Sequence, residues 1–493
     1  MSSAAADAED AVTLLANLGV PVARITSDSR RVERGDAFAA YPGTHRDGRT
    51  FISEAIQRGA AAILWDPQGF VWNRAWNIAH LPVEHLKTRL GGIADRIYRH
   101  PSRELWMIGV TGTNGKTSCA HWIAAALDSA GRRAAVLGTL GNGLWGTLQE
   151  TLNTTADAAL LHETLRDLKS QGAQAVAMEV SSHGLEQGRV GGVAFDVALF
   201  TNLSRDHLDY HGTMAAYGAA KAKLFAWPGL RIGVINADDA FGQSLIDASR
   251  SANRKILTYG FGSADIVGTR LAASTSGLAF AVETPWGKAE IHTRLVGAFN
   301  AANLLGCLSV LLVSGVGIER AVALLADVEA PPGRMQRLGG DGAPLVVIDY
   351  AHTPDALDKV LTSLRPAVAV GGELICVFGC GGDRDRGKRP EMGRVVARLA
   401  DRLIVTSDNP RSEAPDAIAS DIVRGVRESG NRRYAIELDR ARAIAHAIRE
   451  AHSGDVVLLA GKGHEPYQER SGVRHAFLDA DHATRALESR GGR

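Results

Sequence analysis

The strongest chemical signal in this chain is the run Gly109-Val110-Thr111-Gly112-Thr113-Asn114-Gly115-Lys116-Thr117. A strict G-x-x-x-x-G-K-[ST] loop needs glycine where Val110 stands, so this is a close variant, with an apolar run before it and a helical pattern after it. Glycines let backbone amides converge on phosphate oxygens, and a helix start adds unpaired N–H groups and a positive dipole end. Gly112, Thr113, Asn114, Gly115, Lys116 and Thr117 are therefore candidates to hold a nucleoside triphosphate, with Lys116 on the terminal phosphates and Thr117 offering its hydroxyl to Mg²⁺. The loop does not say what receives the phosphoryl group.

Ala175 to Val180 reads as an apolar strand with Glu179 near its end, where a carboxylate can reach a metal in the sheet crevice. Ser181-Ser182-His183 follows. Adjacent residues on one loop give no aligned nucleophile, base and third carboxylate, so polar substrate contacts fit better than a Ser–His pair. Asp206, His207, Asp209 and His211 crowd the loop after another strand, and beside a phosphate site a second Mg²⁺ suits them better than zinc. Lys221 by itself reads as a helix-surface lysine; Lys221 and Lys223, at i and i+2, point to different faces, so one of them can look inward.

Four polar loops recur in the last third of the chain, each after a predicted strand: Asp349 to Asp355, Cys380 to Pro390, Asp408 to Glu413 and Gly461 to Glu465. Such loops meet at one edge of a doubly wound sheet. Their mixture of Arg and Asp or Glu suits a zwitterion, with Arg holding carboxylate and acid holding ammonium.

The elements around these residues alternate strand and helix, which predicts α/β architecture with a mostly parallel sheet. At roughly 150 residues per domain, 493 residues make about three domains. Pro101 and Pro331-Pro332-Gly333 divide the chain into 1–102, 103–332 and 333–493. Strands are predicted at Leu105–Val110, Ala134–Leu137, Phe195–Phe200 and Arg231–Asn236, with a helix over Lys116–Ser129 and an antiparallel meander between Ile266 and Val296. Lys plus Arg total 55 against 54 acids, a net charge of +1, which points to no nucleic acid. Cys119, Cys307, Cys376 and Cys380 form no C-x-x-C pair and read as reduced cytosolic thiols. The acidic start of the chain does not read as a signal peptide, and no run of 18 apolar residues predicts a membrane span.

Taken together, these motifs closely resemble the ATP-dependent Mur ligases of peptidoglycan precursor synthesis, over nearly the whole chain. The resemblance implies a UDP-precursor-binding domain at 1–102, a central P-loop NTPase-like sheet at 103–332 and a C-terminal Rossmann-like α/β domain at 333–493. It implies ATP and Mg²⁺ as cofactors, and a cytoplasmic monomer. Ser29 and His45 match positions that hold the UDP end. Thr154-Thr155-Ala156-Asp157 resembles the family's Thr-Thr-Pro-Asp, and with it Asn153, Ser181, Gln187 and Arg189 would contact a UDP-N-acetylmuramoyl-dipeptide. In similar ligases the lysine matching Lys221 is carbamylated and helps hold a second Mg²⁺ beside the residue matching His207; Thr117 and Glu179 would serve the first. Asn300, Arg334, Asp349 and His352 match nucleotide-contacting positions, with Gln336 where Glu is frequent. Asp408-Asn409-Pro410-Arg411 resembles the motif of the members that use meso-diaminopimelate, whose second carboxylate Arg411 can grip; Arg384, Gly461 and Glu465 would complete that pocket. The alternatives are a folylpolyglutamate-synthase-like ligase, which lacks the UDP domain and the Asp-Asn-Pro-Arg motif, and a P-loop NTPase switch.

Overall fold

A computed structural model describes residues 12–43, 46–151 and 153–490. His45 lies outside the described residues. The chain divides into two compact units, one of residues up to 259 with 309–316, the other of 260–308 with 317–493.

The first unit holds two sheets. In the smaller, Ile25–Thr26, Ala37–Ala40, Ala62–Trp65 and Ala79–Pro82 run parallel in that order. Alternate side chains of a strand point to opposite faces. Ala37, Ala39, Ala62 and Leu64 accordingly pack with Leu86, Leu90 and Ile93 of the helix Leu86–Ile97, while Phe38, Ala40, Ile63 and Trp65 pack with Val32 and Ile52 on the other face. Burial on both faces explains why these strands read as unbroken apolar runs.

In the larger sheet, the order within this unit is Ile256–Gly260, Ile232–Asn236, Val197–Phe200, Trp106–Thr111, Ala175–Glu179, Ala134–Gly138 and Gly141–Leu144. All pairs are parallel except the last, a hairpin. Trp106–Thr111 is flanked by strands that come later in the chain. In open α/β sheets the crevice at such a switch in strand order is where ligands bind. Its register pairs Val110 with Glu179 on one side and Thr111 with Phe200 on the other, so the loop that follows emerges between Glu179 and Thr201.

The second unit contains an antiparallel meander, Ile266–Ser274, Gly277–Thr284 and Gly287–Thr293, where the sequence predicts one. It also contains a six-stranded sheet in the order Gln336–Gly339, Leu345–Asp349, Val456–Ala460, Leu374–Phe378, Arg402–Val405 and Tyr434–Ile436. Only the first pair is antiparallel. Leu345, Val347, Cys376 and Leu458 pack on one face, and Val346, Ile348, Ile375 and Val457 on the other. The four cysteines are buried and form no disulfide among the described residues. Among the described residues no helix is long and apolar enough to cross a membrane.

Candidate active site

The first unit builds a phosphate loop from its strand and helix. Lys116–Ser129 begins directly after Gly115, whose φ of 85° is the left-handed conformation glycine tolerates. Gly112 is required for a second reason: a Cβ there would collide with the Thr201 hydroxyl. That hydroxyl donates to Asn114 O at 2.6 Å, and Asn202 Oδ1 accepts the Asn114 N–H at 3.1 Å. Lys116 Nζ folds back onto the carbonyls of Gly112 (2.9 Å) and Thr113 (2.7 Å).

Glu179 is fully buried at the foot of this loop. Its Oε2 accepts from Thr117 Oγ1 at 3.0 Å and Thr139 Oγ1 at 3.3 Å, and its Oε1 accepts the Thr139 N–H at 2.7 Å. Thr139 Oγ1 also lies 3.0 Å from Thr154 Oγ1. Thr155 Oγ1 donates to Glu179 O at 3.0 Å and is 3.1 Å from Ser181 Oγ. Arg189 donates to Thr155 O at 2.8 Å and to Gln187 Oε1 at 2.7 and 3.0 Å. One connected set of hydrogen bonds thus runs from the phosphate loop through Glu179 to Thr154, Thr155, Ser181, Gln187 and Arg189. Asn153 precedes Thr154 and is exposed. Ser29 stands apart, its hydroxyl donating to Glu54 at 3.0 Å.

The surface reading of Lys221 is corrected by the fold. Lys221 is 1 % exposed, donates to Gly112 O at 2.8 Å and lies 4.4 Å from the Tyr217 ring centroid. Burial, with Lys116 nearby, holds its amine well below the ordinary lysine range. Lys223 is the outward lysine and pairs with Glu186 at 2.6 Å. His207 caps the short helix Leu208–His211 and is half-exposed; burial, Lys116 and Lys221 lower its pKa against the opposing effect of Asp206. His183 packs on His207, Tyr210 and His211, and burial with those two imidazoles pushes it down to about 4.

Among the described residues no group of three or more His, Cys, Asp or Glu side chains is gathered as a metal site. The oxygen donors at Thr117 and Glu179 nevertheless fit a hard cation such as Mg²⁺, which takes few protein ligands and completes its shell with phosphates and water.

The second unit carries the four polar loops singled out in the last third of the sequence. Asp349, buried at the end of its strand, accepts the N–H groups of Met335 and Ala351, each at 2.9 Å. Burial pushes its carboxyl up against the opposing pull of Arg334 and those amides. Arg334 lies over Tyr350, 4.9 Å from its ring centroid. Its Nε and His464 Nδ1 are buried without a hydrogen-bond partner among the described residues, polar capacity left over for a ligand. Gln336 Oε1 accepts the Gly333 N–H at 3.0 Å. His352 is exposed, with Nδ1 2.8 Å from Tyr350 O. Asn300 is buried and donates to Val296 O at 2.8 Å.

Asp408-Asn409-Pro410-Arg411 follows the strand Arg402–Val405. Asn409 donates to Glu465 at 2.8 Å and accepts from Lys462 at 3.3 Å and from the Glu469 N–H at 2.9 Å. Lys462, fully buried, also donates to Glu465 at 3.2 Å and Tyr467 O at 2.5 Å. Gly461 must lack a side chain, since its φ is 112° and a Cβ would stand 2.6 Å from Asp408 Oδ2. Arg411 donates from Nη1 to Gly382 O at 2.7 Å. Its backbone is clasped by the hairpin Tyr467–Arg470 and Val473–Ala476: its N–H donates to Glu469 O at 3.1 Å, and its carbonyl accepts the Ser471 N–H at 2.6 Å. Glu413 binds buried Arg389 at 2.8 and 3.1 Å, together with Arg386 and the Asp383 N–H, which ties the Gly381 to Lys388 loop to this one. Arg384 is exposed in that loop.

Sequence reasoning does not single out Thr139, Thr201, Tyr217, Arg389, Lys462, Arg440 or Asp479. The signal for Lys221 was available in Tyr217, Lys221 and Leu224, which stand at i, i+4 and i+7 on one helical face.

Three regions of the chain match family descriptions. Residues 21–98 match the Mur ligase family catalytic domain, 110–311 the Mur ligase middle domain, and 333–463 the Mur ligase glutamate ligase domain. The chain is 51 % identical over 481 residues to the UDP-N-acetylmuramoyl-L-alanyl-D-glutamate–2,6-diaminopimelate ligase of Chromobacterium violaceum, covering 97 % of each. It is 51 % identical over 484 residues to the ligase of the same description from a Janthinobacterium species, covering 95 % of each. A solved structure of a UDP-N-acetylmuramoyl-L-alanyl-D-glutamate–2,6-diaminopimelate ligase superposes with a TM-score of 0.72 at 39 % identity, covering 96 % of each chain. The chain belongs to the Mur ligase family.

Proposed function

We propose that this chain is an ATP-dependent amide ligase of peptidoglycan synthesis. It joins 2,6-diaminopimelate, in its meso form, to the D-Glu γ-carboxylate of UDP-N-acetylmuramoyl-L-alanyl-D-glutamate. The observation that carries this reading is the continuous hydrogen-bonded path from Thr117 through Glu179 and Thr139 to Thr154 and Thr155. A nucleotide switch needs no such link between a phosphate loop and a second polar cradle.

Three functional domains, 1–102, 103–332 and 333–493, divide the work, the middle one P-loop NTPase-like and the last Rossmann-like. Amides of Gly112 to Gly115 and the ammonium of Lys116 bind and orient the ATP phosphates. Thr117 and Glu179 would hold a first Mg²⁺, and His207 with a carbamylated Lys221 would hold a second; bound there, the ions would neutralise phosphate charge. Lys221 suits carbamylation because burial, with Lys116 nearby, disfavours its ammonium form, and the neutral amine is the form that adds carbon dioxide. Ser29 and His45 hold the UDP end, while Asn153, Thr154, Thr155, Ser181, Gln187 and Arg189 hold the muramoyl-dipeptide. The γ-carboxylate takes the γ-phosphoryl group to give an acyl phosphate and ADP. The amine of diaminopimelate then attacks the acyl carbon, the C–O bond to phosphate breaks, and the amine proton leaves. Asn300, Arg334, Asp349 and His352 contact the nucleotide. Arg411 grips the acceptor's far carboxylate, supported by Arg384, Asp408, Asn409, Pro410, Gly461 and Glu465. Catalysis by positioning and electrostatics needs no protein nucleophile.

The test mixes enzyme, ATP, Mg²⁺ and UDP-muramoyl-dipeptide with either diaminopimelate or lysine, and measures ADP and tripeptide product. Product with diaminopimelate and little with lysine is expected. Turnover with lysine alone would overturn the acceptor assignment, folate-dependent ADP release would favour a folylpolyglutamate-type ligase, and hydrolysis independent of any acceptor would favour a switch.

A further inference from the structure

The helix Arg440–Glu450 opens with an arginine at the positive end of its dipole, where a cation is disfavoured. Arg440 is nevertheless 0 % exposed, and its partner Asp479, 0 % exposed, opens the helix Asp479–Glu488. The pair is bidentate, Nε to Oδ1 at 2.7 Å and Nη2 to Oδ2 at 2.6 Å. The guanidinium's remaining reach goes to two backbone carbonyls, Ala460 O at 3.0 Å and Ser407 O at 3.4 Å. These carbonyls immediately precede Gly461 and Asp408. They lie at the ends of the strands Val456–Ala460 and Arg402–Val405, which are separated in the sheet by Leu374–Phe378. One side chain therefore fastens the roots of both loops that carry Asp408, Asn409, Arg411, Lys462 and Glu465. A buried ion pair is a poor device for stability, because desolvation offsets most of the attraction, but its fixed fork geometry is a good device for placement.

We propose that Arg440, held by Asp479, is a positioning residue that sets the spacing of the two acceptor loops and so the preference for an amino acid with a second, distal carboxylate. The inference rests on the ligase reading above. It places the origin of that preference outside the residues that touch the acceptor.

The test compares the full-length parent with Arg440→Met/Asp479→Leu, which removes both charges together and leaves neither one stranded, and with Asp479→Asn. Melting profiles are recorded, together with kcat and KM for ATP, UDP-muramoyl-dipeptide, diaminopimelate and lysine. The double variant should melt as the parent does, keep its KM for ATP within about twofold, and raise KM for diaminopimelate at least about tenfold while the diaminopimelate-to-lysine ratio of kcat/KM falls by a similar factor. Asp479→Asn should shift the same two quantities less. A folded double variant with parental KM and parental selectivity would overturn the inference, as would an equal rise in KM for all substrates. If the double variant does not fold, Asp479→Asn decides by the same criteria. A parent that turns over other acceptors but never diaminopimelate removes the acceptor assignment, and this inference with it.

Discussion

The candidate site residues of the two units are built from different materials. In the first unit the working surface is backbone amides, hydroxyls and a single buried carboxylate, and both lysines beside it rest on the Gly112 carbonyl. In the second unit it is charge against charge: Arg389 with Glu413 and Asp421, Arg440 with Asp479, Lys462 with Glu465. Phosphates present many equivalent oxygens, which converging N–H groups satisfy whatever the rest of the ligand is. An amino acid must be told from others by where its few charges lie, and only fixed charges on the protein measure that. On the ligase reading proposed above, the contrast assigns affinity for nucleotide to main-chain geometry and acceptor choice to side-chain networks.

Substitutions can break this contrast. The largest effect is expected from Glu179→Gln, since its carboxylate joins Thr117 of the glycine-rich loop to Thr139, which lies beside Thr154. It should lower kcat by about 10²–10³ in steady-state assays with little change in melting temperature. Arg411→Ala should cost about 2 kcal/mol, or roughly thirtyfold in kcat/KM for diaminopimelate, while KM for ATP holds; an equal loss for both substrates would erase the distinction between the units. Thr139→Val removes the hydroxyl bonds to Glu179 and Thr154 but keeps the backbone N–H, and should lower kcat about tenfold.

The smallest effect is one of pH. Arg389 holds the Glu413 carboxyl down from 4.5 to about 2. A depressed carboxylate contributes stability that is present above its unfolded pKa and lost as pH falls through its folded one. Glu413→Gln should therefore lower the melting temperature modestly at pH 7 and flatten its decline between pH 4.5 and 2, so that variant and parent converge at the acid end. A variant that declines as steeply as the parent over that window would remove Glu413 from the charge network.

The same contrast governs what the sequence discloses. The phosphate loop is contiguous, so its glycines, Lys116 and Thr117 declare themselves in nine letters, and Glu179 follows from its place at a strand end. The strands Leu374–Phe378 and Val456–Ala460 and the helix Lys116–Ser129 are legible because each is a short apolar run or a clear helical stretch bounded by punctuation. Lys221 is hidden because its helix is rich in alanine, which marks no face strongly; Tyr217 and Leu224 reveal which side turns inward. Arg440 and Asp479 are 39 positions apart, each in a polar segment that reads as surface, and nothing local announces that they meet. Networks of distant charges are the part of a site that single-sequence reasoning sees least.

The hairpin that clasps Arg411 turns through Ser471 and Gly472, both with positive φ, 49° and 77°. Such a two-residue connection sets strand pairing with almost no slack. Lengthening it by one residue would slide Glu469 and Ser471 past Arg411 and re-aim the guanidinium without altering a letter of Asp-Asn-Pro-Arg. If Arg411 grips the acceptor as proposed, reprogramming this enzyme toward a new building block would call for redesign of the turn along with the motif, and two relatives sharing the four letters but differing in turn length need not incorporate the same amino acid.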